Sequence, residues 1–311
     1  MSYGSGKYTY ERVEGWAKYP KDWSILDVGG IAIDKQDKVY VFNRGAHPLI
    51  IFDREGNMQS TWGEGLFKRA HGSCIDPEGN IYCTDDYNHT VRKFTPDGKL
   101  LMTLGTEDKP SDSGYVKKFD FFCSLATITR AGGPFNRPTG VAMGPSGNLY
   151  IADGYGNAEV HKFTGDGKYL LSWGEPGTGP GQFRLPHNVW VDKQERVWIP
   201  DRENNRIQIF DSEGKLLNIW ADQIRPTDLF IDDEDIVYVS DLADRVSIYT
   251  IDGKLLSQWA SEGTDKDKAL FLAPHAIAVD SQGSIYVGEV AYTSQKIDKG
   301  PKVIQKFRRK A

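Results

Sequence analysis

The feature that most constrains this 311-residue sequence is an internal repeat that occurs six times. Each copy reads as a short alternating strand, a turn, and a second strand that ends in an acid or amide. The β-branched and aromatic residues of these strands, bounded by Asp, Gly and Pro, predict hairpins. The second-strand segments and the turns that precede them are residues 34–43, 76–85, 144–153, 192–201, 232–241 and 280–289.

A third and a fourth strand follow each hairpin, and several of the fourth strands end in Trp, as at Trp173 and Trp220. Four strands per copy, with starts about 40 to 48 residues apart in all but one interval, are typical of β-propeller blades. The sequence therefore predicts an all-β, six-bladed propeller that forms a single domain over residues 1–311. The last copy lacks a fourth strand, so we expect residues 7–16 to complete it and close the ring, which leaves no exposed edge.

Three of the six histidines share one register of the repeat. They lie five residues before the repeat aspartate on alternate copies: His71, His187 and His275. The remaining copies hold Gly29, Thr139 and Thr227 at this register. In a closed ring the three imidazoles would meet on the axis, which predicts a metal site. Three His ligands suit zinc, with Fe, Mn, Ni or Cu as competitors, and leave a position open for catalysis.

Strand direction predicts which other residues share the face of the histidines. The second strand of each copy returns to that face, so the residues just after it belong there, among them Arg44, Tyr155 and Arg202. The one long interval between copies contains an insert at about residues 106–136 on the same face. A long insert in a compact fold is usually functional or mobile, and we interpret this one as a lid.

Composition excludes several classes of partner. The net charge is −5 and the basic residues do not cluster, so nucleic acid is not expected as a partner. No apolar run is long enough to span a membrane, and the N-terminus has no signal-peptide pattern. An odd count of three cysteines argues against a disulfide framework and favours a cytoplasmic protein, although a mature secreted chain would look the same. The expected partner is a small anionic substrate, and no obligatory protein partner is inferred.

At these residues the chain resembles the catalytic core of peptidyl-α-hydroxyglycine α-amidating lyase, within the wider NHL-repeat propellers. The similarity extends from about residue 29 to residue 307. The segments that carry it are 39–45, 70–72, 138–139 with 153–157, 181–187, 201–204 and 274–275.

The resemblance implies a function for each site residue. It implies zinc bound by the three histidines, Tyr155 as the base that removes the substrate hydroxyl proton, and Arg44 as the group that keeps this Tyr partly ionised. It implies that Arg202 binds a substrate carboxylate in a bidentate manner. The implied reaction splits the C–N bond of an N-acylated α-hydroxyglycine into an amide and glyoxylate. A free Tyr, with a pKa of about 10, is a poor base at neutral pH, and zinc with a guanidinium would lower that value.

The chain also departs from the family pattern. The family has a Met two residues before the third His and an acid directly after it, where this chain has Ala273 and Ala276. Calcium binding is therefore not expected. A disulfide cysteine of the family is replaced by Gly156, which fits a cytoplasmic relative with a changed substrate. Two alternatives stay open: a metal-dependent lactonase or esterase on the same three histidines, and a non-catalytic NHL scaffold.

Overall fold

The computed structural model describes residues 1–221, 223–261 and 269–310 and contains six small antiparallel sheets. The chain divides into two compact units, Phe67–Pro226 and a second unit that joins Met1–Leu66 to Thr227–Ala311. Each unit contains three of the sheets, which we number 1 to 6 in chain order. This is the six-bladed β-propeller that the repeat predicts.

The unit Phe67–Pro226 contains sheets 2, 3 and 4. Sheet 2 has the strands Ala70–Ile75, Ile81–Asp85, Thr90–Phe94 and Leu100–Gly105. Sheet 3 has Pro138–Met143, Leu149–Asp153, Glu159–Phe163 and Tyr169–Trp173. Sheet 4 has Trp190–Val191, Val197–Asp201, Arg206–Phe210 and Leu216–Trp220.

The other unit contains sheets 1, 5 and 6. Sheet 1 has the strands Val28–Ile33, Val39–Asn43, Leu49–Phe52 and Met58–Trp62. Sheet 5 begins at the boundary and has Pro226–Ile231, Ile236–Asp241, Arg245–Thr250 and Leu255–Ala260. Sheet 6 has Pro274–Val279, Ile285–Glu289, Ile304–Arg309, Tyr8–Val13 and Ser2–Ser5.

The N-terminal strand completes sheet 6, as predicted. Tyr8–Val13 pairs antiparallel with the last strand of the chain, with Tyr10 opposite Arg309 and Val13 opposite Lys306. An additional strand, Ser2–Ser5, pairs with the outer edge of Tyr8–Val13 and makes sheet 6 five-stranded. The sequence did not predict this fifth strand.

The repeat aspartates stabilise the turns between the first two strands of their sheets. In sheet 5, Asp232 accepts hydrogen bonds from two backbone N–H groups of its own turn and from the Tyr238 hydroxyl at 3.0 Å. Sheet 3 has Gly144 at this position instead of an aspartate. Glu195 from sheet 4 occupies the vacated space and accepts the Tyr150 hydroxyl at 3.0 Å. A carboxylate therefore reaches the buried aromatic hydroxyl in both cases.

Helices are short and lie outside the sheets. They are the α-helices Phe121–Leu125 and Ala291–Gln295 and the 3₁₀ helices Arg202–Asn204 and Gly300–Val303. In the described part of the chain, no helix has the length and apolar character needed to cross a bilayer.

Candidate metal centre

His71 lies in the first strand of sheet 2, where its imidazole is buried. Its Nδ1 is 2.6 Å from the backbone oxygen of Thr139, which can only accept a hydrogen bond. In the neutral ring, Nδ1 therefore carries the proton and Nε2 keeps its lone pair, as in metal-binding histidines. The close approach requires Gly72, because a Cβ there would lie 2.5 Å from the same Thr139 oxygen.

His187 is buried in the same unit but lies just before the short first strand of sheet 4, Trp190–Val191. His187 therefore lies outside its strand, whereas His71 and His275 lie inside theirs. The amide oxygen of Asn188 accepts a hydrogen bond from the backbone N–H of Val189. The backbone N–H of His187 still donates to the Pro200 oxygen at 2.8 Å, which fixes its position.

His275 lies in the first strand of sheet 6, in the other unit, and is also buried. Its Nδ1 is 3.1 Å from the backbone oxygen of Gly29. Gly29 and Thr139 both occupy the histidine register in copies that lack a histidine. In both cases a backbone carbonyl at the same repeat position contacts Nδ1 of the imidazole. This contact leaves Nε2 of His71 and of His275 as the nitrogen that could bind a metal.

The ligand atoms of His71, His187 and His275 all lie within 4.8 Å of one another. The rings of His71 and His187 meet edge to face, with centroids 4.9 Å apart. Three buried imidazoles form, in their neutral state, a donor set that suits a divalent transition metal and leaves further coordination positions open. This cluster can therefore bind a metal ion.

Tyr155 follows the second strand of sheet 3 and is buried beside these histidines. Gly154 permits its approach, because a Cβ there would lie 2.1 Å from the Pro186 oxygen. The ring of Tyr155 packs edge to face on His71, with centroids 4.9 Å apart. Its hydroxyl is 3.3 Å from Nε2 of His187 and 3.2 Å from Nη1 of Arg202. The structure thus brings three of the residues singled out from the sequence to the Tyr155 hydroxyl or ring.

Three guanidinium groups surround the Tyr155 ring. The guanidinium carbons of Arg137, Arg69 and Arg202 lie 5.2, 5.5 and 5.5 Å from its centroid. Such positions are favourable over an aromatic ring. Arg202 was predicted from the sequence, whereas Arg69 and Arg137 were not. A signal was available: Arg69, Arg137 and Arg225 all stand two residues before the histidine register of their copies.

Asp86 holds two of these arginines in place. One of its oxygens is 2.9 Å from Arg69 Nη1 and 2.8 Å from Arg137 Nη2, and its side chain is fully buried. Burial alone would lower the pKa of Arg137, but the Asp86 carboxylate raises it overall, so Arg137 stays charged. The Asp86 carboxylate therefore pairs with two of the guanidinium groups beside Tyr155.

Arg202 is buried and paired with Glu203. Its Nε donates to Glu203 Oε1 at 2.8 Å, and Arg225 donates to the same oxygen at 2.8 Å. Burial raises the pKa of Glu203, but the two arginines outweigh it and lower this pKa below its usual value. The ionised Glu203 fixes one edge of the Arg202 guanidinium and leaves Nη1 beside Tyr155.

Arg44 follows the second strand of sheet 1, in the other unit. Its Nη1 is 3.4 Å from Asp27 Oδ2 and 3.0 Å from Thr293 Oγ1. Its role in activating Tyr155 stays a prediction.

The insert at residues 106–136 covers part of the Tyr155 environment. Phe121, in its short helix, lies 5.9 Å from Tyr155 between ring centroids, and the Arg202 guanidinium carbon lies 5.4 Å from the Phe121 ring. Tyr115 accepts a hydrogen bond from Arg137 Nη1 at 2.7 Å. The insert therefore contributes apolar and aromatic contacts around the base candidate. Whether it opens and closes as a lid stays a prediction.

The other three histidines have separate environments. His161 is buried between Ser172 Oγ and Asp153 Oδ2, at 2.6 and 3.3 Å. His47 is partly exposed, pairs with Glu64 and stacks on Trp23. His89 is half-buried and its Nδ1 accepts the backbone N–H of Arg137 at 3.1 Å.

One repeat family and several known proteins are similar to this chain. Residues 135–163, within the six-bladed β-propeller, match the model of the NHL repeat. It is 28% identical over 326 residues to NHL repeat-containing protein 3 of Homo sapiens, with 99% of this chain and 86% of that protein covered. It is 32% identical over 188 residues to peptidyl-alpha-hydroxyglycine alpha-amidating lyase 1 of Drosophila melanogaster, which confirms the predicted resemblance. That match covers 56% of this chain and 31% of the fly protein, so the chain spans about a third of that relative.

Solved structures share the propeller fold. A streptogramin B lyase structure aligns with a TM-score of 0.60 at 16% identity and covers 99% of this chain and 90% of its own. At this identity the likeness concerns the fold alone.

Proposed function

We propose that this protein is a metal-dependent lyase that cleaves the C–N bond of an N-acyl-α-hydroxyglycine or a closely related hydroxylated carboxylate. The observation that carries the proposal is the position of the Tyr155 hydroxyl, within 3.3 Å of both His187 Nε2 and Arg202 Nη1. A base candidate, a metal ligand and an anion-binding group therefore converge on one point. The similarity to a protein named as an amidating lyase supports the same reaction.

His71, His187 and His275 would hold the metal, and their all-nitrogen donor set favours zinc. When bound, such an ion acts as a Lewis acid that lowers the pKa of a hydroxyl or water oxygen coordinated to it. The same property would serve a hydrolase, so the metal alone does not select the reaction.

Tyr155 is the proposed base. Positive charge beside a phenol favours its ionised form, and Arg202 lies at the hydroxyl while Arg69 and Arg137 lie over the ring. Arg44 is proposed to add to this effect, as the resemblance implies. Burial of Tyr155 strengthens these charge interactions because little water is present to screen them.

The proposed chemistry is the collapse of a hemiaminal. The Tyr155 oxygen takes the proton of the substrate hydroxyl, and the oxygen electron pair forms the carbonyl of glyoxylate. The C–N bond breaks, its electron pair moves to the amide nitrogen, and that nitrogen takes up a proton. Arg202 would bind the substrate carboxylate through its guanidinium, while Glu203 keeps that guanidinium in place.

The test is turnover of N-acetyl-α-hydroxyglycine by the metal-loaded protein, followed by glyoxylate release, with a lactone assayed in parallel. Tyr155→Phe should abolish most of the activity, whereas Tyr169→Phe, on the outer strand of sheet 3, is the matched control. Turnover of the lactone alone would favour the hydrolase alternative. If the protein binds no metal and turns over neither compound, the result would favour the alternative of a non-catalytic scaffold.

A further inference from the structure

A cavity of about 500 Å³ opens beside the Tyr155 environment, between the insert and sheet 2. Its walls include Tyr87, His89, Tyr115, Lys117 and Arg137. Tyr115 and Lys117 belong to the insert, and Tyr87 and His89 follow the second strand of sheet 2. Of these residues, the proposed reaction assigns a role to Arg137 alone.

The cavity wall combines positive charge with aromatic rings. Arg137 lies 4.8 Å and Lys117 lies 5.8 Å from the centre of the Tyr87 ring. In the part of the chain that the structure describes, Lys117 has no carboxylate partner. The one carboxylate among the lining residues, Asp112, forms an ion pair with Arg130. The balance of charge in the cavity is therefore positive.

His89 adds a neutral hydrogen-bond donor to this wall. Burial lowers the pKa of its imidazole, so the ring is neutral at pH 7. Its Nδ1 accepts the backbone N–H of Arg137, which places the ring proton on Nε2. A cavity with an ammonium group, a guanidinium group and an imidazole N–H suits an anionic oxygen ligand.

Arg137 connects the cavity to the proposed reaction centre. Its guanidinium carbon is 4.8 Å from the Tyr87 ring centre and 5.2 Å from the Tyr155 ring centre. A substrate whose glycine end lies at Tyr155 could therefore reach the cavity with its acyl end.

We infer that this cavity is a subsite for a negatively charged acyl group, so that the preferred substrate carries a second carboxylate on the acyl chain. This inference rests on the proposed function for the position of the glycine end. Lys117 is the specificity-determining residue, because it is the cation in the cavity without a carboxylate partner among the described residues.

The experiment compares kcat/KM for N-glutaryl-α-hydroxyglycine and N-acetyl-α-hydroxyglycine. The parent protein should prefer the glutaryl compound, and Lys117→Gln should reduce that preference about fivefold through KM. Lys118→Gln is the control, since Lys118 is exposed and lies outside the cavity lining. Raising the ionic strength from about 50 to about 500 mM should also weaken the preference, because salt screens an exposed ion pair.

A binding measurement separates this inference from the proposed function. Calorimetry with glutarate should show weaker binding to Lys117→Gln than to the parent protein or Lys118→Gln. Turnover of both substrates with no glutaryl preference would overturn the subsite and leave the lyase function standing. Lys117-dependent glutarate binding without any turnover would support the subsite and overturn the lyase function. Glutarate binding that is equal in all three proteins would overturn the subsite.

Discussion

The hydroxyl of Tyr155 lies 3.2 Å from Nη1 of Arg202, and Glu203 holds the other edge of the same guanidinium. This contact places a permanent positive charge beside the proposed base. It also places the expected carboxylate-binding group within hydrogen-bond distance of that base. A substrate bound through its carboxylate would therefore have its α-hydroxyl close to the Tyr155 oxygen.

Replacing Tyr155 by Phe should leave the fold and the metal content intact but reduce kcat by about 100-fold or more, the scale expected for loss of a general base. The side chain loses one oxygen and keeps its ring contacts with His71 and the three arginines. Glyoxylate release under saturating substrate is the measurement, with Tyr169→Phe as control. An unchanged kcat would show that Tyr155 only packs.

The Arg202→Lys variant should keep the positive charge but lose the planar guanidinium that binds a carboxylate with two hydrogen bonds. KM for a carboxylate substrate should therefore rise about tenfold. The side chain would also lose the Nε contact with Glu203 that orients it. Initial rates over a range of substrate concentrations give KM and kcat separately. If an amide analogue without the carboxylate reacts as well as the acid in the parent protein, the assignment of Arg202 is wrong.

Glu203 should contribute stability that depends on pH. Its folded-state pKa is lowered, so its contribution is fully present above its unfolded value of about 4.3 and is lost as pH falls below that value. At pH 7, Glu203→Gln should destabilise the protein by roughly 3 kcal/mol, because Arg202 loses its buried partner. The melting-temperature difference between parent and variant should shrink as pH falls toward 3. The exposed Glu234→Gln is the control, and a difference that stays constant with pH would contradict the account.

Calcium should raise neither the melting temperature nor the activity. Calcium needs about six or more oxygen ligands, usually including carboxylates, and Ala276 follows His275 directly. Asp228, in the same unit, already accepts the backbone N–H groups of Leu229 and Ile277 at 2.8 and 2.9 Å. Thermal melts with and without millimolar calcium test this, since a ligand of the folded state stabilises it with increasing concentration. A clear rise in melting temperature would reveal another set of oxygen ligands.

The repeat made the fold predictable because one pattern of strands and turns recurs along the chain, although one copy has Gly144 in place of the turn aspartate. The Asp turn, the alternating second strand and the register of His71, His187 and His275 all follow from it. Where a copy departs from the repeat pattern, the local structure could not be predicted from the sequence. The first strand of sheet 4 has only two residues, and Glu195, which lies in sheet 4, takes the place of the turn aspartate that sheet 3 lacks.

The surroundings of the proposed base were harder to predict. The insert lies outside the repeat register, so nothing in the sequence indicated that Phe121 would pack on Tyr155. The ion pairs of Arg69 and Arg137 with Asp86 depend on side-chain conformation, which the sequence does not give. The two arginines do share one position in the repeat, and this indicates that they lie in similar surroundings.

Metal content is the measurement that tests the central claim most directly. Elemental analysis of the purified parent protein should find about one transition-metal ion per chain, with zinc preferred. Each of the variants His71→Ala, His187→Ala and His275→Ala should lose most of it, whereas His47→Ala should retain it. Metal content that stays at the parent level in all three variants would contradict the three-histidine site and the reaction built on it.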